Sequence, residues 1–286
     1  MRKCIVVHGN CQADFLCGWL RAFKPVSNEF DIIYSRSYVL QGEEEPPTPQ
    51  EEDISRAVLL LYQQTDFGKD ALIGRFEGHA EVKRFPVMAL GVLFPFAFLD
   101  PRNKPAPPEH PYGPFPIGDR IGYAVSQEGI RGDKAVAEYY RRSMDSLAML
   151  PRHLEIERDR IRRLDENSDI KISDYVLDQF PIKPIFHHWQ HPTGEALGIL
   201  GDRLFRGADL LRRHVCTIDY RGLVDPMIRG ELDPFSGDEL PVHPTVAIGL
   251  GLRWWKADMT YCVRSPLAAK ANFDQFIRAY LDWKWI

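Results

Sequence analysis

The chain has 286 residues, 44% hydrophobic and 27% charged, with a formal net charge of −4. That composition describes a globular protein with room for one large domain or two coupled ones. The small acidic balance argues against nucleic acid or an anionic membrane surface as partner. No window reaches the ~18 apolar residues of a membrane span, and Met1-Arg2-Lys3 opens no signal-peptide pattern.

Four short apolar runs mark the first third: Cys4–Val7, Phe30–Tyr34, Ala57–Tyr62 and Phe85–Leu90. They are nearly continuous rather than alternating, as strands covered on both faces are. Between the first two, Phe15, Leu16, Trp19, Leu20 and Phe23 repeat at helical spacing until Pro25. Strand, helix, strand implies a parallel βαβ unit. Residues 41–53 carry Glu43-Glu44-Glu45 and three prolines, the composition of a solvated loop. Eight prolines between Pro95 and Gly118 exclude long regular elements. The aromatics among them suggest a loop that packs on the body or covers a site. After Gly132 the pattern turns helical: Ala135–Met149, the apolar stripe Leu147 to Leu164, a short helix capped by Ser173, then a strand at Ile185-Phe186. A helix follows over 193–213, and another over 273–283. The expected fold is α/β, a Rossmann-like parallel sheet flanked by helices, with large loop insertions and a helix-rich C-terminal half. One domain would span 1–286, with the sheet core in 1–94, a proline-rich insertion at 95–132 and the helix-rich part at 133–286.

Five cysteines, Cys4, Cys11, Cys17, Cys216 and Cys262, are odd in number and scattered, without C-x-x-C. This is the usage of thiols in a reducing cytoplasm, and no structural zinc is expected. Cys11 stands apart. It follows the strand Cys4–Val7 and the turn His8-Gly9-Asn10, at the start of the first helix. The N–H groups and dipole there favour a thiolate, the reactive form. Such sheets bind ligands at the carboxyl ends of their strands. Cys17, inside the amphipathic helix, reads as core.

His8 is placed to orient or deprotonate Cys11, or to sit as a hydrogen-bonded core histidine. His187, His188 and His191 form a second imidazole cluster. Adjacent strand residues face opposite sides, so His187 and His188 should not share a site. His191, before Pro192 and a helix, is a candidate base for Cys11. A metal reading of His188-x-x-His191 lacks a third ligand at fixed spacing. Asn10 suits a helix N-cap; Asn10 or Gln12 with the Cys11 N–H suits an oxyanion. Gln63 and Gln64 end the third strand at the same edge. Arg36, or Arg212-Arg213-His214, suits a phosphate. His243, between Val242 and Pro244, reads as a packed turn residue.

The Gly9-Asn10-Cys11-Gln12 opening, Tyr62-Gln63, His191-Pro192-Thr193 before a helix and Val242-His243-Pro244 resemble the WcbI-type polysaccharide-biosynthesis family. The resemblance implies an acetyltransferase of bacterial capsule or exopolysaccharide loci. It also implies binding of coenzyme A or an adenosine 3′,5′-bisphosphate-type ligand, and a carbohydrate acceptor. Cys11, His8 and His191 would then be catalytic; Gly9, Asn10, Gln12, Arg36, Gln63 and His188 would bind the coenzyme, with no metal. Gly9-Asn10-Cys11 is also similar to the Gly-Asp-Ser opening of SGNH-type hydrolases, although no Asp-x-x-His completes that triad near the carboxyl end. An esterase or thioesterase, and a non-catalytic coenzyme-binding scaffold, are the alternatives. A bacterial cytoplasmic location and a homodimer are compatible with the chain.

Overall fold

The computed structural model describes residues 1–39, 43–65, 71–105, 110, 112–215, 217–263 and 270–284. Gln41, Pro107, Pro108, Pro111, Cys216 and the closing Trp285-Ile286 lie outside the described residues. Among the described residues no helix is long and apolar enough to cross a membrane. The chain divides into two compact units, one of Met1–Met88, Asp159–Val176 and Thr193–Pro234, the other of Ala89–Arg158, Leu177–Pro192 and Phe235–Ile286.

The first unit holds a parallel sheet of β1 (Cys4–Gly9), β2 (Asp31–Arg36), β3 (Ala57–Gln64) and β4 (Glu81–Pro86), in the order β2-β1-β3-β4. Helix α1 (Cys11–Ala22) makes the first crossover. β1 is central and buried along its whole length, which is why it reads as an unbroken apolar run. Side chains alternate along it. Cys4 and Val6 join Leu60 and Tyr62 of β3 in a cluster with Ile54, Leu72, Ile73 and Phe76. Each large side chain so buried contributes roughly 1.5–3 kcal/mol of transfer free energy. The apolar stripe of α1 meets helix Gly194–Gly207: Phe205 lies edge-on to Trp19 at 6.4 Å and to Phe23 at 5.6 Å. The fold is thus the α/β sheet with flanking helices that the sequence implies.

The loop expected over 41–53 gives way to a short helix at Glu51–Arg56, and two further boundaries differ from expectation. The fourth strand is Glu81–Pro86 rather than Phe85–Leu90. It lies at a sheet edge, where charged residues are tolerated and useful, and Glu81, Lys83 and Arg84 hide it from an apolar search. Glu81 accepts the N–H of Asp209 (2.8 Å) and Leu210 (3.3 Å). Asp169 accepts the Arg84 N–H at 2.7 Å, while the Arg84 carbonyl accepts from Asp169 and Ile170. The helix expected over 193–213 breaks at Ala208, whose extended backbone (φ −92°, ψ 123°) ends Gly194–Gly207. Glu81 then receives the first N–H groups of Asp209–Arg212.

In the second unit, helices Arg120–Gln127, Gly132–Leu147 and Phe273–Asp282 share a core of Phe115, Val125, Tyr139, Phe276, Ile277 and Tyr280. The proline-rich insertion is tied at its base by antiparallel pairing of Ala97–Phe98 with Gly118–Asp119. It is anchored by Phe115, whose ring lies 5.1 Å from that of Tyr280 and 5.9 Å from that of Phe276. Asp119 caps Arg120–Gln127 by accepting the N–H of Ile121 and Gly122, both at 2.9 Å, and the Tyr139 hydroxyl at 2.8 Å. Burial pushes its carboxyl up to about 6, against the pull of those three bonds.

Candidate functional site

The β1–α1 junction is a lattice of hydrogen bonds. Gly9 has φ +156°, and a Cβ there would stand 2.5 Å from Gln63 Oε1 and 2.7 Å from the Ala13 Cβ. Only glycine lets β3 approach this closely. The approach allows the Asn10 N–H to donate to Gln63 Oε1 at 2.8 Å. Gln63 Nε2 in turn donates to Gln12 Oε1 at 3.1 Å. Gln12 Nε2 donates to the Met88 carbonyl at 2.7 Å, and the Met88 N–H returns to Gln12 Oε1 at 3.1 Å. Asn10 caps α1 by accepting the Gln12 N–H at 2.9 Å. From β2, the Tyr34 hydroxyl donates to the carbonyls of Gly9 and Asn10, each at 3.1 Å. Burial, and more weakly the neighbouring Tyr38 and Asp14, raise the Tyr34 pKa and keep it a donor.

Cys11 is the first residue of this 12-residue helix, at intermediate exposure, whereas Cys4 and Cys17 are buried completely. Burial drives the Cys4 and Cys17 thiols up to about 11, so both stay neutral and unreactive. Cys11 combines accessibility with the positive end of a helix dipole. His8 is 9% exposed; its Nδ1 lies 2.9 Å from Ser35 Oγ and its ring stacks on Tyr62 at 5.2 Å. Gln12 and Gln63 are 0% and 1% exposed. Their amides are spent on the lattice, so they position the junction. Arg36 ends β2 as the Cα partner of Gly9. Its Nη2 holds Glu43 Oε1 at 2.7 Å, and its buried Nη1 has no hydrogen-bond partner among the described residues.

The imidazole cluster belongs to the second unit and Cys11 to the first. An antiparallel pair, Phe186–His188 with His191–Pro192, sets His188 opposite His191, and their rings lie 3.8 Å apart. His187 goes elsewhere, its Nδ1 3.4 Å from Glu239. Asp238 stands 3.5 Å from His191 Nδ1 and 4.0 Å from His188 Nε2. The buried His191 Nδ1 is at ion-pair distance there without hydrogen-bond alignment. His191 also stacks on Phe235 at 4.1 Å. Donor atoms of His188, His191 and Asp238 all fall within 4.8 Å, close enough for a metal. The Gln190 N–H, however, donates to His188 Nδ1 at 3.3 Å. That leaves the ring proton of neutral His188 on Nε2, the nitrogen facing Asp238. The arrangement favours a carboxylate between two imidazoles over a ligand set.

Among the neighbouring residues, Tyr34, Ser35 and Asp238 were not anticipated. Tyr34 sits in a strand where it reads as packing, and Asp238 is brought to His191 only by the tertiary fold. His243 is a packed residue, as expected: its Nε2 lies 3.1 Å from Ser143 Oγ, and burial lowers its pKa to about 4.

A family profile described as polysaccharide biosynthesis enzyme WcbI matches residues 4–212. This chain belongs to the WcbI family of polysaccharide biosynthesis enzymes. Its fold is similar to that of a solved structure described as WcbI, a novel polysaccharide biosynthesis enzyme, the native protein without a disulfide bond between coenzyme A and one of its cysteines. The two share 17% identity with a TM-score of 0.62, over 99% of this chain and 90% of that one. No curated protein sequence matches the chain. The WcbI-family profile covers both the β1–α1 junction and the His188–His191 hairpin, and stops before Asp238.

Proposed function

We propose that this WcbI-family chain is a coenzyme A-dependent O-acyltransferase acting on a sugar or polysaccharide precursor of capsule or exopolysaccharide, with Cys11 as the acyl-accepting nucleophile. The observation that carries this reading is the contrast among thiols: Cys4 and Cys17 are buried, Cys262 is part-exposed on a short strand, and Cys11 is part-exposed at the start of a helix. The solved relative's description, which names coenzyme A beside a cysteine, supports the choice of donor.

In the first half-reaction the Cys11 thiolate attacks the carbonyl carbon of acyl-coenzyme A. A C–S bond forms at Cys11, the C–S bond to the coenzyme breaks, and the coenzyme leaves as a thiol with the proton Cys11 gave up. One thioester replaces another, so the step is near balance. In the second, the acceptor hydroxyl attacks the acyl-cysteine, loses its proton to a base, and Cys11 is regenerated. N–H groups of the first turn of α1 stabilise the oxyanion of both steps. His8, at the carboxyl end of β1 in the same unit, is assigned to carry the proton. Arg36 is assigned to a phosphate of the coenzyme, its Nη1 being a buried donor with no acceptor among the described residues. Gly9, Asn10, Gln12 and Gln63 hold the loop in register for the coenzyme.

Incubation with acetyl-coenzyme A, acid quench and intact mass measurement test the reading. An acetyl adduct absent from Cys11→Ala is the expected result. Release of acetate without any acceptor would favour a thioesterase instead.

A further inference from the structure

The second unit contains a hollow of about 860 Å³ lined by Lys104, Gln127, Arg131, Trp283 and Lys284, with Arg102 in its wall. That volume lies within the range of small-molecule sites, roughly 300–1,000 Å³. Its charge is one-sided: four cations line it against the single carboxylate of Asp282. Arg102 is already balanced. It pairs with the buried Asp100 at 2.6 Å, donates to Ser126 Oγ at 2.6 Å and lies 4.4 Å over the Tyr123 ring. It therefore forms a fixed wall. Arg131 spends one guanidinium nitrogen on the carbonyls of Ser126 and Ile130. Lys104 and Lys284 have no carboxylate partner among the described residues. Trp283 brings a half-buried indole to the same hollow, held edge-on by Phe115 at 6.0 Å and His110 at 6.1 Å.

We propose that this hollow binds a phosphorylated saccharide. Lys104, Arg131 and Lys284 would receive the phosphoryl oxygens. The flat indole of Trp283 would pack against the apolar C–H face of a pyranose ring, as aromatic faces do with apolar surfaces. The exposed Gln127 amide offers a donor and an acceptor for hydroxyls. A phosphate alone uses only the cations, and a neutral glycan uses only the ring and the amide; a sugar bearing phosphate uses both. The identification of this ligand as the acyl acceptor rests on the acyltransferase reading above, whereas the binding itself does not.

The test uses the full chain, with calorimetry and tryptophan fluorescence. The probes are glucose 1-phosphate, a nucleoside-diphosphate glucose, maltose and inorganic phosphate. Both phosphorylated sugars are expected to bind, the affinity falling as salt rises. The stronger of the two separates a monophosphate ligand from a nucleotide-linked one. Lys104→Glu and Lys284→Glu, exposed positions that leave the core intact, should each weaken binding about tenfold. Coenzyme A binding and the Cys11 adduct should stay unchanged in both. Trp283→Phe should remove the fluorescence response and retain phosphate-dependent affinity. Equal binding of maltose, indifference to both charge reversals, inorganic phosphate binding as tightly as the sugar phosphates, or displacement by coenzyme A would each overturn the proposal. If coenzyme A fails to bind while the sugar phosphates do, the acyltransferase reading falls and the saccharide site stands.

Discussion

The Asn10 N–H donates to Gln63 Oε1 at 2.8 Å, joining the turn before Cys11 to the end of β3. The same glutamine grips Gln12 in the first turn of α1, and Gln12 grips Met88 beyond β4. Two buried amides thus fix the position of one accessible thiol. Gln63→Leu leaves the Asn10 N–H and one Gln12 lone pair unsatisfied, and should cost about 2 kcal/mol. Gly9→Ala, which drives a methyl into Gln63 and Ala13, should cost at least about 2 kcal/mol. Urea denaturation of each variant checks both values; changes below ~0.5 kcal/mol would mean the lattice does not hold the junction.

Thiol reactivity should follow burial. At pH 8, iodoacetamide is expected to label the peptide containing Cys11 in the folded chain. Cys4 and Cys17, held near 11 by burial, should resist until urea unfolds the protein. Peptide mass mapping reads the result. Equal labelling of Cys17 would contradict the assignment of Cys11 as the reactive thiol of this pair.

Much of this was legible in the sequence, for physical reasons that vary by element. β1 and β3 are central strands, so burial on both faces wrote them as apolar runs, and the helical stripe from Phe15 to Phe23 located α1. β4 was displaced because an edge strand takes charge, and Glu81, Lys83 and Arg84 resemble loop residues until their partners from 169–170 and 209–210 are seen. At the junction, residue types placed a cysteine at the start of a helix. They did not reveal that Gln12 and Gln63 would be internal struts, because an amide at a strand end suits a ligand or a lattice equally. Asp238 was invisible for another reason. A carboxylate that meets His191 across a tertiary contact leaves no spacing in the chain.

Arg36 gives a test of the phosphate assignment. Its Nη2 is occupied by Glu43, a carboxylate standing where a phosphate oxygen would bind. Arg36→Ala should weaken coenzyme A binding about tenfold, the worth of one charged hydrogen bond. Glu43→Gln should strengthen it by removing the competing anion. Titration calorimetry with coenzyme A and with its dephosphorylated analogue distinguishes the assignments. An unchanged affinity in Arg36→Ala would remove this residue from the site.

Two buried groups of the second unit should give opposing pH dependences. Burial lowers His243 from 6.5 to about 4, so between these values the unfolded chain binds the proton that the folded one refuses. Its contribution is present above pH 6.5 and lost as the pH falls towards 4. Asp119, raised from 3.8 to about 6, contributes below pH 3.8 and loses that contribution as the pH rises through 6. Relative to the wild type, His243→Gln should make the melting temperature fall more as pH rises from 4 to 6. Asp119→Asn should make it rise more. Parallel curves for all three proteins would show that neither group titrates as its burial requires.

Intact mass measurement of the chain after brief exposure to acetyl-coenzyme A, with Cys11→Ala beside it, tests the nucleophile most directly. A single acetyl adduct, mapped to Cys11, absent from the variant and discharged when a saccharide acceptor is added, is the predicted result. An adduct of equal yield in Cys11→Ala, or full acetyl transfer by that variant, would contradict it.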